Sequence, residues 1–151
     1  MAAERLQIKL GLRGIFWDRR PEYRVSFNGN PIIQAHFRPD SDSLEYLEFP
    51  VECTDSAGIL TVELINKRPT DTVENSDKTG ILQDMLLDIV SLEVDEISLD
   101  SILHSVSEYR PEYPEGYTGD PVLTNCVTLG WNGVWSIRWT APFYIWLLES
   151  L

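Results

Sequence analysis

Oxygen-bearing side chains crowd one stretch of this chain: between residues 66 and 84, Asn66, Asp71, Asp77 and Asp84 offer carboxylate and amide groups, with Gly80 available for a tight turn. Calcium favours several such oxygens on a flexible loop, so these four are candidate metal ligands. Their spacing does not follow the DxDxDG pattern of an EF-hand, and Lys67, Arg68 and Lys78 are placed to neutralise the same carboxylates. The competing reading is a loop held by Asx turns and its own hydrogen bonds. No cofactor is expected beyond calcium as a candidate. Aromatic rings are the second resource. Tyr109, Tyr113 and Tyr117 recur every four residues through a proline-rich stretch. Turned outward they could stack on sugar faces or anchor a protein interface; turned inward they would pack the loop onto the core. Trp131, Phe143, Tyr144 and Trp146 complete the candidate ligand or interface residues.

Catalytic chemistry has little to stand on. His36 and His104 are the two imidazoles, and neither has a neighbouring nucleophile or metal-ligand spacing. No GxSxG, HExxH, phosphate-binding or dinucleotide-binding pattern occurs. A carboxylate pair could run a glycosidase, but among 24 acidic residues such pairs arise by chance, so the expectation is a protein that is not an enzyme.

Composition narrows the partners. The 24 acidic and 12 basic residues leave a formal charge of −12, which repels phosphate backbones and anionic lipid, so no nucleic acid is expected. The same surplus suits hard cations, neutral sugars, a basic protein or simple solubility. Cys53 and Cys126 lie far apart without redox or zinc spacing and are expected to be free thiols. The opening MAAERLQIKL lacks a signal peptide's apolar stretch and no segment is long enough to span a bilayer, so neither classical secretion nor membrane insertion is expected.

The elements that must position these groups are strands. Leu6, Ile8, Leu10 and Leu12 alternate with polar residues, predicting a half-buried strand near 5–13. Tyr23, Val25 and Phe27 repeat the pattern before Asn28-Gly29, a hairpin turn dipeptide, with a return strand from about Ile32 to Phe37. Further strands come around Leu47–Val51 and Leu60–Leu64, and between Met85 and Leu99 a change of phase predicts a bulge or short turn. Residues 66–84 and 101–121 read as long surface loops, the second after about one helical turn at Ser101 to Ser105. Val122–Leu129 and Val134–Trp139 are expected to form a hairpin about Trp131-Asn132-Gly133. Pro142 then starts a short helix in an apolar C-terminal segment, 142–151, whose cover is either the sandwich itself or another subunit. The whole, residues 1–151, reads as a single mostly β domain: an antiparallel β-sandwich of jelly-roll type with a short C-terminal helix.

The run from Leu60 to Leu99, with Asn66-Lys67 closing a strand, Asp71-Thr72, Gly80, Asp84 and the ending Val94-Asp95-Glu96-Ile97, resembles the small jelly-roll virion proteins of tailed, contractile-tail phages. It is also distantly similar to calcium-dependent xylan-binding modules. Gly130-Trp131-Asn132-Gly133-Val134-Trp135 and Pro142 to Leu148 add to the phage likeness alone. What the resemblance implies is a non-enzymatic virion structural or accessory module, made in the host cytoplasm and bound to neighbouring virion proteins in a homo- or hetero-oligomer. The alternative is a carbohydrate-binding module, calcium-assisted, for host surface glycans.

Overall fold

A computed structural model describes residues 3–151. In chain order the elements are β1 (Glu4–Ile15), β2 (Glu22–Phe27), β3 (Asn30–His36), β4 (Ser43–Cys53), β5 (Ala57–Leu64), β6 (Val73–Glu74), β7 (Ile81–Gln83), β8 (Leu86–Val94), β9 (Ile97–Ser98), α1 (Leu103–Val106), β10 (Ser107–Pro111), β11 (Leu123–Thr124), β12 (Thr128–Leu129), β13 (Gly133–Thr140) and α2 (Phe143–Ser150). One antiparallel sheet runs β12-β8-β1-β4 with β9 paired to β8, and the other runs β11-β10-β13-β5-β2-β3. Strands β6 and β7 make a separate small hairpin.

Alternation in the sequence becomes the inner face of each sheet. Leu6, Ile8 and Leu10 of β1 stand opposite Val51, Phe49 and Leu47 of β4, all buried. From the other sheet Tyr23, Val25, Leu60, Val62, Trp135 and Ile137 meet them, so one apolar layer fills the space between. The Asn28-Gly29 turn has φ of 49° and 81°, the doubly left-handed turn that matches strand twist. The change of phase after Met85, expected to be a bulge or a short turn, is produced by one of each. Val90 is the extra residue of a bulge, since Gly11 pairs with Ser91 and Leu12 with Ile89. Asp95-Glu96 then turns the chain into β9 with φ of 49° and 67°.

Two expectations are corrected. Residues 101–121 are not one surface loop: after α1, Ser107–Pro111 forms β10, paired to β13 inside the larger sheet, and the open loop is confined to residues 112–122. Nor do residues 122–129 pair with 134–139. Strand β11 pairs with β10 and β12 crosses to β8 in the other sheet, with Asn125 at φ 57° where the chain leaves the first ladder. Residue pattern alone shows which face of a strand is buried, not which neighbour it pairs with.

Antiparallel pairing sorts the connections into two ends. The ends of β1, β5, β10 and β12 and the starts of β2, β8 and β13 lie together, as the pairs Ile15↔Leu86, Leu129↔Leu87, Tyr23↔Leu64 and Pro111↔Gly133 require. At the opposite end α2 closes the sandwich through Phe143 and Leu147. The Phe143 ring meets Trp139 edge-on at 5.5 Å, and the Glu4 carboxylate accepts from the Phe143 N–H at 2.9 Å. The C-terminal segment therefore docks on its own sandwich along this face.

Space beside the Trp139 ring is set by its cross-strand partner Gly58, where a Cβ would lie 2.7 Å from the indole. Substitution G58A should lower unfolding stability by about 1–3 kcal/mol, the usual cost of overpacking a filled core, read as a shifted urea midpoint at unchanged slope. A midpoint equal to that of the parent chain would show that the ring is free to yield.

Candidate functional site

At the end of the sandwich away from α2, a groove of about 250 Å³ is lined by Lys67, Arg68, Pro69, Glu112, Pro114, Glu115, Trp131 and Asn132. Its floor is the crossing of three connections, and each is fixed by a specific bond. The Asn132 amide pairs with the backbone of Lys67 in both directions, accepting from its N–H at 2.8 Å and donating to its carbonyl at 2.9 Å. The Asn132 carbonyl accepts from the Glu112 N–H at 2.6 Å. Gly133 comes next because any Cβ there would run into the Arg110 carbonyl.

Tyr109 lies under this floor. It is a buried core residue of β10, so the sequence expectation of a ligand-facing ring is corrected. Its hydroxyl donates to the Trp131 carbonyl and accepts from the Trp131 N–H at 3.2 Å. Burial pushes that hydroxyl above the usual tyrosine range, so it remains a neutral donor. Above it, Trp131, Tyr117 and Tyr113 form a row, with ring centroids 5.8 Å and 5.0 Å apart and successive planes tilted by 45° and 39°. Tyr117 is 54% exposed, and Tyr113 is anchored by donating to the Asp120 carbonyl at 2.8 Å.

Lys67 is the central charge. Its side chain is 3% exposed, its ammonium lies 2.8 Å from Asp84 Oδ1, and it also donates to the Gly130 carbonyl. The same ammonium sits 5.0 Å from the centroid of the Trp131 ring, a cation–π contact that holds the indole in place.

The four expected metal ligands are not brought together. Asn66 bridges backbone, accepting from the Glu22 N–H at 2.8 Å and donating to the Arg20 carbonyl at 2.9 Å. Asp71, at the end of a short 3₁₀ turn, is buried between guanidiniums, with Arg19 at 2.9 Å and Arg68 at 3.0 Å. Asp77 closes an exposed turn by accepting from the Thr79 hydroxyl at 2.6 Å and the Thr79 N–H at 3.1 Å. Asp84 Oδ1 accepts from Lys67, from the Thr72 hydroxyl at 2.7 Å and from the Met85 N–H at 2.8 Å. Among the described residues no group of three or more His, Cys, Asp or Glu side chains is arranged to hold a metal ion.

Of the aromatic candidates, Tyr113, Tyr117 and Trp131 share the groove end. Phe143, Tyr144 and Trp146 sit on α2 at the other end, where Phe143 is buried and the Tyr144 hydroxyl donates to Asp95. Sequence reading misses Asn132, Glu112 and Glu115 as groove residues. Asn132 reads only as a turn residue, and the two glutamates have no local signature.

Chemically, the groove offers the Trp131 ring, the Asn132 amide, the exposed carboxylates of Glu112 and Glu115 and the half-exposed guanidinium of Arg68.

The fold is a β-sandwich of the kind found in carbohydrate-binding modules. No protein-family model matches the sequence, and no curated protein matches it. Among solved structures, the chain is similar to vCBM60 in complex with galactobiose, with a TM-score of 0.54 and 13% identity over 87% of this chain and 96% of that one. It is also similar to a second vCBM60 structure, from work linking two families of calcium-dependent carbohydrate binding modules by circular permutation. There the TM-score is 0.55 at 13% identity, covering 87% of this chain and 89% of that one.

The buried carboxylate of Asp71 sets an acid limit. Burial would raise its carboxyl, but hydrogen bonds from Arg68 and Arg19 outweigh this and hold it at about 2, below the ordinary aspartate value of 3.8. A depressed folded-state value stabilises the protein above the unfolded value and loses that contribution as pH falls from about 4 toward 2. Substitution D71N should cost about 1 kcal/mol at neutral pH, allowing for the solvent-facing side of Arg68, and should flatten the stability profile between pH 4 and 2. Urea melts across that range check it; parallel profiles for the two proteins would refute the assignment.

Proposed function

We propose that this chain is a carbohydrate-binding module that holds a neutral glycan on the Trp131, Tyr117 and Tyr113 row without turning it over. The row itself is the observation that carries this reading: three rings in contact, running from Trp131 in the groove wall to Tyr117 and Tyr113 beside it, with Tyr117 exposed and Trp131 held by Tyr109. Glu112 and Glu115 at the rim, with the chain's net charge of −12, select against uronic or sulfated glycans. Similarity to vCBM60 structures, one of them holding galactobiose, supports the sugar reading through the fold.

Screening on an array of neutral and acidic glycans, followed by calorimetry on each hit, tests it. Binding should be confined to neutral oligosaccharides. Y117A should weaken it about tenfold or more, the scale of one lost stacking partner, while leaving the thermal midpoint unchanged because the ring is exposed. Absence of any glycan ligand, or affinity in both Y117A and W131A equal to that of the parent chain, would refute the reading.

A second reading is the virion module that binds neighbouring subunits. What favours it is the outer side of α2, where Ile145, Leu148 and the terminal Leu151 are exposed, Leu148 at 73%. Sedimentation of the chain alone should then show self-association that L148E abolishes; a monomer at all concentrations leaves this helix without that role. The two readings use opposite ends of the sandwich.

A further inference from the structure

Calcium dependence is what the fold relatives would suggest, yet two of the four candidate ligands here, Asp71 and Asp84, are already paired with internal cations. Asp71 accepts from two guanidiniums and the Arg68 N–H, and Asp84 Oδ1 accepts from an ammonium, a hydroxyl and an N–H. The environment of Lys67 Nζ, a carboxylate, a backbone carbonyl and an aromatic face in a nearly closed setting, is one that a cation must occupy to offset the desolvated carboxylate. A covalently attached ammonium is already there. A divalent ion seeking Asp84 and Gly130 would meet its repulsion at contact distance, and would find too few free oxygens to complete a shell of six to eight.

We infer that Lys67 is the resident cation of this groove, filling the cation-demanding pocket around Asp84 and Gly130, and that the chain recognises its ligand without calcium. Lys67 is a positioning residue: it fixes the Trp131 indole and ties Asp84 to the loop before Gly130, so that the aromatic row is preformed. The ligand half of this inference rests on the sugar-binding reading, whereas the cation half does not.

The experiment has three arms, the first of which needs no glycan. In an NMR titration with calcium chloride to about 5 mM, above the range of extracellular calcium modules, amide resonances of residues 66–84 and 130–132 should stay in place. Saturable shifts among them would overturn the inference even if no sugar were ever found. In the second arm, affinity for a glycan hit should agree within about twofold in calcium and in chelator, and a tenfold loss in chelator restored by calcium would overturn it. The third arm compares K67M and K67R. K67M should lose at least about tenfold in glycan affinity whether or not calcium is present, with K67R recovering part of that loss through the retained charge. Wild-type affinity in K67M would remove Lys67 from its assigned role, and the first arm stands on the parent chain if K67M does not fold. Silence on the array with unmoved resonances refutes the sugar reading and leaves the cation assignment standing.

Discussion

Wherever the chain leaves a ladder while still partly buried, its backbone polar groups must find other partners, and this requirement shapes both ends of the molecule. Three asparagines meet it in the same way. Asn28 accepts from the Ile59 N–H at 2.8 Å and donates to the Ala57 carbonyl at 3.3 Å. Asn66 does so for Glu22 and Arg20, and Asn132 for Lys67 alone. A side-chain amide carries the same donor and acceptor as a peptide, so each behaves as a short piece of extra strand. At the groove, Asn132 holds the backbone of Lys67 and Asn66 ties the preceding residue to the start of β2, while the Lys67 ammonium turns toward Trp131.

Charge obeys the same logic of internal satisfaction. Asp71, Asp84, Glu45 and Asp88 reach into the structure, and each has a cation or strong donor: Arg19 and Arg68, Lys67, Arg38 with the Tyr23 hydroxyl, and Arg13 on Asp88 Oδ2, although Asp88 Oδ1 has no partner among the described residues. Tyr23 is pushed above its ordinary range, first by burial and then by its bond to Glu45, and so remains a donor. With 24 acidic residues against 12 basic ones, acids dominate the surface. A binding groove in such a protein must rely on shape, stacking and hydroxyl hydrogen bonds, because attraction of anions is not available to it.

Legibility in the sequence divides along the same line. Strands with long alternation are readable because period-2 burial is a property of single strands: β1, β2, β4 and β5 need nothing beyond their own residues. Even the bulge at Val90 leaves a trace in the step from Ile89 to Leu92. Strand β10 is hidden because only Ser107 and Tyr109 of its five residues are buried, and its proline and charges read as loop. The spacing of Tyr109, Tyr113 and Tyr117 suggests one set, yet the first ring belongs to a strand interior and the other two to the loop beyond it. Asn66 and Asp84 are visible as oxygen donors, but their partners, from Arg20 to Lys67 and Thr72, are set by tertiary contacts that no local pattern connects. The basic residues Lys67 and Arg68 are the legible warning, since a loop that carries its own cations has less need of a metal.

A preformed groove results from where these bonds fall. Tyr109 is fixed in a ladder between β11 and β13, and its hydroxyl holds both backbone polar groups of Trp131. The indole also touches the buried ammonium and the Tyr117 ring. Little side-chain freedom remains to be lost at Trp131 when a ligand binds, whereas Tyr117 is exposed and must be ordered at that moment. Affinity should therefore be concentrated on the inner ring and adaptability on the outer one. That division suits a module that grips one sugar firmly and tolerates variation in the next, and it places selectivity in the polar groups around Trp131, namely Asn132, Glu112 and Glu115.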